Sequence, residues 1–81
     1  MYQITLKMAR INSGFSLDQA AEIAGVTKRT LKRWEQDSGK ANLVSAVTLL
    51  RAYGTSMEHV RFGREEDVLE ELRLKLDKVV G

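Results

Sequence analysis

Three features of the sequence predict an all-α fold. Apolar residues recur at three- and four-residue spacing, and no segment alternates at period two over a useful length. Ser, Thr or Asn stands before most of the helical segments, where an N-cap belongs. Glycine follows them at Gly14, Gly25, Gly39, Gly54 and Gly63.

Thr5 is placed to cap a first helix from Leu6 to about Ser13, with Leu6, Ala9 and Met8 as its inward candidates and Arg10 on the side of Leu6. Ser16 caps a second helix, Leu17 to Ala24, and Gln19 three residues on completes a capping box. Leu17, Ala20, Ala21 and Ala24 form its buried stripe, with Ile23 on the flank. The alanines are small, so another helix can approach closely. Gly25-Val26-Thr27 is a tight connector that ends in its own cap. A third helix runs from Lys28 to about Gln36, and only Leu31 and Trp34 are large and apolar in it. They lie at i and i+3, so one narrow edge is buried and the rest faces out.

Asn42 caps a fourth helix, Leu43 to Tyr53, whose inward residues are expected to be Leu43, Ala46, Val47, Leu50 and Tyr53. Ser56 is expected to cap a short fifth helix from Met57 to about Phe62. The last segment, Arg64 to Val80, opens with Glu65, Glu66 and Asp67 and closes with Lys75 and Lys78, as the helix dipole favours. Leu69, Leu72, Leu76 and Val79 form its apolar stripe, and Leu74 falls on the opposite face. Residues 1–63 read as one small domain and residues 64–81 as an appended amphipathic helix.

Composition removes several functions. There is no Cys, hence no disulfide framework, thiolate zinc site or Cys nucleophile, and the lone His59 cannot make a multi-His site. No metal or other cofactor and no small-molecule ligand is therefore expected. No apolar run approaches the roughly 18 residues of a membrane span. No basic-then-apolar leader opens the chain, so the expected location is the cytoplasm. Asp18 and Glu22 read as a helix-surface pair, and no nucleophile accompanies them, so no enzyme is expected.

The net charge of +2 conceals an asymmetry. Residues 1–40 carry +3 and residues 41–81 carry −1. Lys28, Arg29, Lys32 and Arg33 lie within one short helix, with no acid among them. Two short helices joined by a tight turn, the second basic and mostly exposed, form a helix-turn-helix signature. Ser16 to Glu35 fits it. Ala21 sits where the helices cross, Gly25 takes the turn, and Val26 and Leu31 pack the second helix on the first.

The stretches LKMAR, GFSLDQAAEIAGVTKRTLKRWE and LLRAYGTSMEHV, spanning Leu6 to Gly63, resemble the Cro/repressor-type, or XRE, helix-turn-helix family. The resemblance implies a five-helix DNA-binding domain whose third helix enters the major groove. Lys28, Arg29, Thr30 and Arg33 would then reach base edges, the arginines as bidentate donors to guanine and the Thr30 methyl against a thymine methyl. Lys32 points sideways, toward phosphate. Phosphate contacts are further expected from outward backbone amides at Leu17 and from Asn42 to Val44. The loop residues Gly39 and Lys40, and a hydroxyl of Ser16 or Ser38, complete that set. Arg10 and Glu35 resemble a structural ion pair of the family. The sequence departs from the family pattern at Leu17, where Gln is frequent, at Ala41, where Pro is frequent, and at Ala20-Ala21, where Leu-Ala is common. The last departure leaves a volume for Phe15 or Trp34 to fill.

These readings describe a sequence-specific regulator of double-stranded DNA. It is expected to be a dimeric repressor on a pseudopalindromic operator, of the economy of a phage, mobile-element or restriction-modification control protein. The alternative is an antitoxin-like or adaptor module whose last helix grips a protein partner and whose DNA binding is secondary. The stripe Leu69, Leu72, Leu76 and Val79 either folds back on its own domain, pairs with a second copy as the dimer interface, or meets another protein.

Overall fold

A computed structural model describes the backbone of residues 3–80 and the side chains of residues 3–74. Five α-helices follow one another: α1 Leu6–Asn12, α2 Leu17–Ala24, α3 Lys28–Gln36, α4 Leu43–Tyr53 and α5 Glu65–Val80. Short 3-10 turns stand at Ser38–Lys40 and Met57–His59.

The caps act locally. Thr5 Oγ1 accepts from the Met8 amide, Ser16 from Gln19, and Thr27 from Thr30. The Gln19 side chain in turn accepts from the Ser16 amide at 2.9 Å, which closes the capping box. Gly25 and Gly54 end α2 and α4 at φ 70° and 67°, a left-handed conformation in which a Cβ would be strained.

The core gathers one edge of each of the first four helices. Leu6 and Ala9 come from α1, Ala20 and Ala21 from α2, Leu31 and Trp34 from α3, and Leu49, Leu50 and Tyr53 from α4. Helix α2 packs against both α3 and α4, and its paired alanines allow the close approach. Phe15, Leu17, Ile23 and Val26 are half-buried against the same cluster. Phe15 lies beside Tyr53, with ring centroids 5.6 Å apart. Full burial of each large aliphatic side chain contributes roughly 1.5–3 kcal/mol, and Leu6, Leu31, Leu49 and Leu50 are the largest such residues.

Two expectations change. Helix α4 turns Leu49 inward, and Leu43 is 68% exposed with Val44 at 74%. Its contacts with α1 and α2 select the Ala46–Leu49–Leu50–Tyr53 face. The segment after Ser56 forms one 3-10 turn rather than a helix reaching Phe62, and the Ser56 side chain makes no capping bond. Strand-like pairing ends the turn: the Ile4 amide donates to His59 O at 2.8 Å and the Arg61 amide to Ile4 O at 2.9 Å, so Val60 is extended and buried.

The start of α5 is tied to the α3–α4 loop. Ser38 donates from its amide and its hydroxyl to Gly63 O, and its hydroxyl accepts from the Gly63 amide at 3.0 Å. Arg64 pairs with Asp37 in an antiparallel bridge. Beyond it Val68 is buried and Leu72 half-buried, while Leu69 and Leu74 are exposed. The side chains of Leu76 and Val79 lie outside the described residues.

The buried Tyr53 hydroxyl has no hydrogen-bond partner among the described residues. Burial, with Glu35 nearby, pushes its pKa up to about 12 from 10.0. A phenol harder to ionise when folded stabilises the fold fully below pH 10, and that contribution is lost as pH rises from 10 toward 12. Tyr53→Phe removes an unsatisfied buried group and is expected to raise stability by about 1 kcal/mol in urea denaturation at pH 7. The same variant is expected to lose part of the alkaline decline between pH 10 and 12.

Candidate nucleic-acid interface

Helix α3 divides sharply between its two faces. Leu31, Trp34 and Glu35 point into the domain, while Lys28, Arg29, Lys32 and Arg33 are exposed. Glu35 is the one acid in this helix, and it is 6% exposed. Arg10, from α1, meets it with two parallel bonds: Nε to Oε2 at 2.7 Å and Nη2 to Oε1 at 3.2 Å. The remaining terminal nitrogen donates to Phe15 O at 3.0 Å, tying the α1–α2 loop to the pair. The hydrogen bond to Glu35 raises the Arg10 pKa above its ordinary value, against the opposing effect of burial. Planar guanidinium and carboxylate groups meet in this way with charge-assisted strength and fixed orientation.

The outer face of α3 is left with four cations and no carboxylate of its own. Lys28 has a neighbour on α2, Asp18, with Nζ 3.5 Å from Oδ1 and both side chains exposed. An exposed pair of this kind is worth about 0–1 kcal/mol and is readily exchanged for another anion. Thr30 is half-buried, and its hydroxyl accepts from Thr27 at 2.9 Å, which holds the first turn of α3 together.

The expected phosphate contacts divide in the structure. Ser16, Lys32, Gly39, Lys40 and Asn42 are all exposed. The Ser16 hydroxyl already accepts from the Gln19 amide, and the Gly39 amide donates to Asp37 Oδ1 at 3.2 Å. Leu17 is half-buried against the core, so its backbone amide rather than its side chain remains the candidate. Two expectations are corrected. Ser38 is buried and its hydroxyl is engaged at Gly63, which removes it from the phosphate set. The Val44 amide is no free donor, because Asn42 Oδ1 accepts from it at 2.9 Å and from Ser45 at 3.3 Å.

The architecture is therefore a short helix pair, α2 and α3, joined by Gly25-Val26-Thr27, with the second helix anchored from behind and cationic in front. A family model described as helix-turn-helix matches residues 6–60. The chain belongs to the Cro/repressor-type (XRE) helix-turn-helix family. It is a DNA-binding transcriptional regulator. No curated protein matches the chain. Among the described residues no helix is long and apolar enough to cross a membrane.

Arg10→Ala leaves the Glu35 carboxylate buried without its partner. Truncating one side of such a pair costs about 3–5 kcal/mol, and the variant is expected to lose about 3 kcal/mol or more in urea denaturation. A loss below about 1 kcal/mol would show that the pair does not brace α3.

Proposed function

We propose that this regulator is a sequence-specific repressor that binds a pseudopalindromic operator as a homodimer and acts by occluding a promoter. The observation that carries this reading is the inward pairing of Glu35, which leaves α3 with an outer face that holds four cations and none of its own carboxylates. Lys28, Arg29, Thr30 and Arg33 read base edges, and the two arginines supply the bidentate fork that matches guanine O6 and N7. Lys32, Lys40, Gly39, Ser16 and Asn42, with the backbone amide of Leu17, hold phosphates and release counterions. One domain of this size offers few base contacts, and a two-fold dimer on half-sites about one helical turn apart doubles them. The reading places it with the control proteins of phages, mobile elements or restriction-modification systems.

Selection of bound duplexes from random-sequence DNA tests the reading, and enrichment of an inverted repeat is expected. On the selected duplex, Arg29→Ala and Arg33→Ala are each expected to lose about 1–3 kcal/mol and to relax preference at one position per half-site. Their melting temperatures are expected to stay unchanged. Lys32→Ala is expected to weaken all sequences alike and to reduce the salt dependence by about one counterion per half-site. Unchanged sequence preference in both arginine variants would overturn the assignment of α3 as the reading helix.

A further inference from the structure

Asp18 is the one side chain at the start of α2 that neither caps nor packs. Ser16 and Gln19 each accept from the other's amide in the capping box, and Leu17 lies half-buried against the core. Asp18 is 75% exposed, and its Oδ1 lies 3.5 Å from Lys28 Nζ at the start of α3. Among the described residues it is the only carboxylate paired with any of the four outward cations of α3. The pair answers a local electrostatic need. Lys28 is the first residue of α3, beside the positive end of the helix dipole, and the first turn of α3 holds no acid. A cation there is unfavourable on its own helix, and the carboxylate that offsets it comes from α2.

We propose that Asp18 is a specificity-determining positioning residue, which holds the Lys28 ammonium and reserves it for base edges against phosphate. The proposal rests on the reading of α3 as the helix that meets DNA. An ammonium has three donors, so it can keep one on Asp18 and offer the others to a second acceptor. The charge of that acceptor decides the outcome. Guanine O6 and N7 are neutral, and a base edge joins the pair without repulsion. A phosphate either places a second anion beside the Asp18 carboxylate, where like charges oppose each other, or takes Lys28 away from Asp18 altogether.

Lys28 therefore gains little from phosphates, which every sequence offers, and keeps its full gain at a matching base. The two lysines of α3 differ in this sense. Lys32, assigned to phosphate, has no carboxylate partner among the described residues, whereas Lys28, assigned to bases, has one. Asp18 thus lowers the attraction of the chain for DNA at large and leaves its attraction for the correct sequence in place.

The test is equilibrium binding of the full chain to two duplexes of equal length across a salt series. One duplex is selected by the wild type from random-sequence DNA, and the other carries the same bases shuffled. Asp18 is exposed and outside the core, so its variants keep the fold, which melting curves check. Asp18→Asn is expected to bind the shuffled duplex about three- to fivefold more tightly, the scale of one exposed ion pair. Its salt dependence there is expected to steepen by about one counterion per chain. On the selected duplex its affinity is expected to change by less than about twofold, so the preference between duplexes falls. Asp18→Glu, which keeps the charge, is expected to retain the wild-type preference. In a Lys28→Ala background, Asp18→Asn is expected to leave the preference as it is, because the effect passes through Lys28. An unchanged preference in Asp18→Asn would overturn the proposal. Equal gains on both duplexes, or the same fall in preference without Lys28, would show a general charge effect and also overturn it. A wild type that enriches no sequence at all would overturn the reading of α3, and the proposal with it.

Discussion

The pairing of Arg10 with Glu35 is the constraint around which the cationic face of α3 is organised. It joins α1 to α3 across 25 residues of chain and reaches the Phe15 carbonyl with the same guanidinium. Helix α3 is only nine residues long and carries two large apolar side chains, too few to hold its orientation by hydrophobic burial alone. A bidentate ion pair adds direction that Leu31 and Trp34 cannot. It also turns the helix's one acid away from the exposed cationic face. One contact thereby serves packing and electrostatics together.

The remaining elements follow from the need to support that helix within a small core. Ala20 and Ala21 bring α2 close to α3 and α4, and Leu17 and Phe15 contribute half-buried surface around them. At the start of α2 the Leu17 side chain joins the core, while its backbone amide stays at the positive end of the helix. Behind the loop that follows α3, Ser38 and Gly63 fasten the beginning of α5 to the domain. The last helix is thus buried against the domain at its first turns, through Val68, and exposed farther along, at Leu69 and Leu74.

Local chemistry made much of this readable from the residues. Ser16 and Gln19, Thr27 and Asn42 announce helix starts because a cap bonds within three residues of itself. Leu31 and Trp34 at i and i+3 reveal which side of α3 is inward. What escaped depends on partners remote in sequence. Ser38 reads as a loop hydroxyl until Gly63, 25 residues on, engages it. The expected helix after Ser56 yields to pairing with Ile4, which pulls Val60 into an extended conformation. Helix α4 is apolar around most of its first half, so spacing alone could not choose Leu49 over Leu43, and contact with α1 and α2 made the choice.

The central claim is that the outer face of α3, braced from behind by Arg10 and Glu35, is the surface that reads DNA. Amide chemical-shift mapping of the full chain against a duplex selected from random sequence tests it most directly. The account predicts that the largest changes fall on Lys28 to Arg33, with a second group at Leu17 and from Gly39 to Leu43. Changes concentrated on α5, with Lys28 to Arg33 undisturbed at saturation, would contradict it.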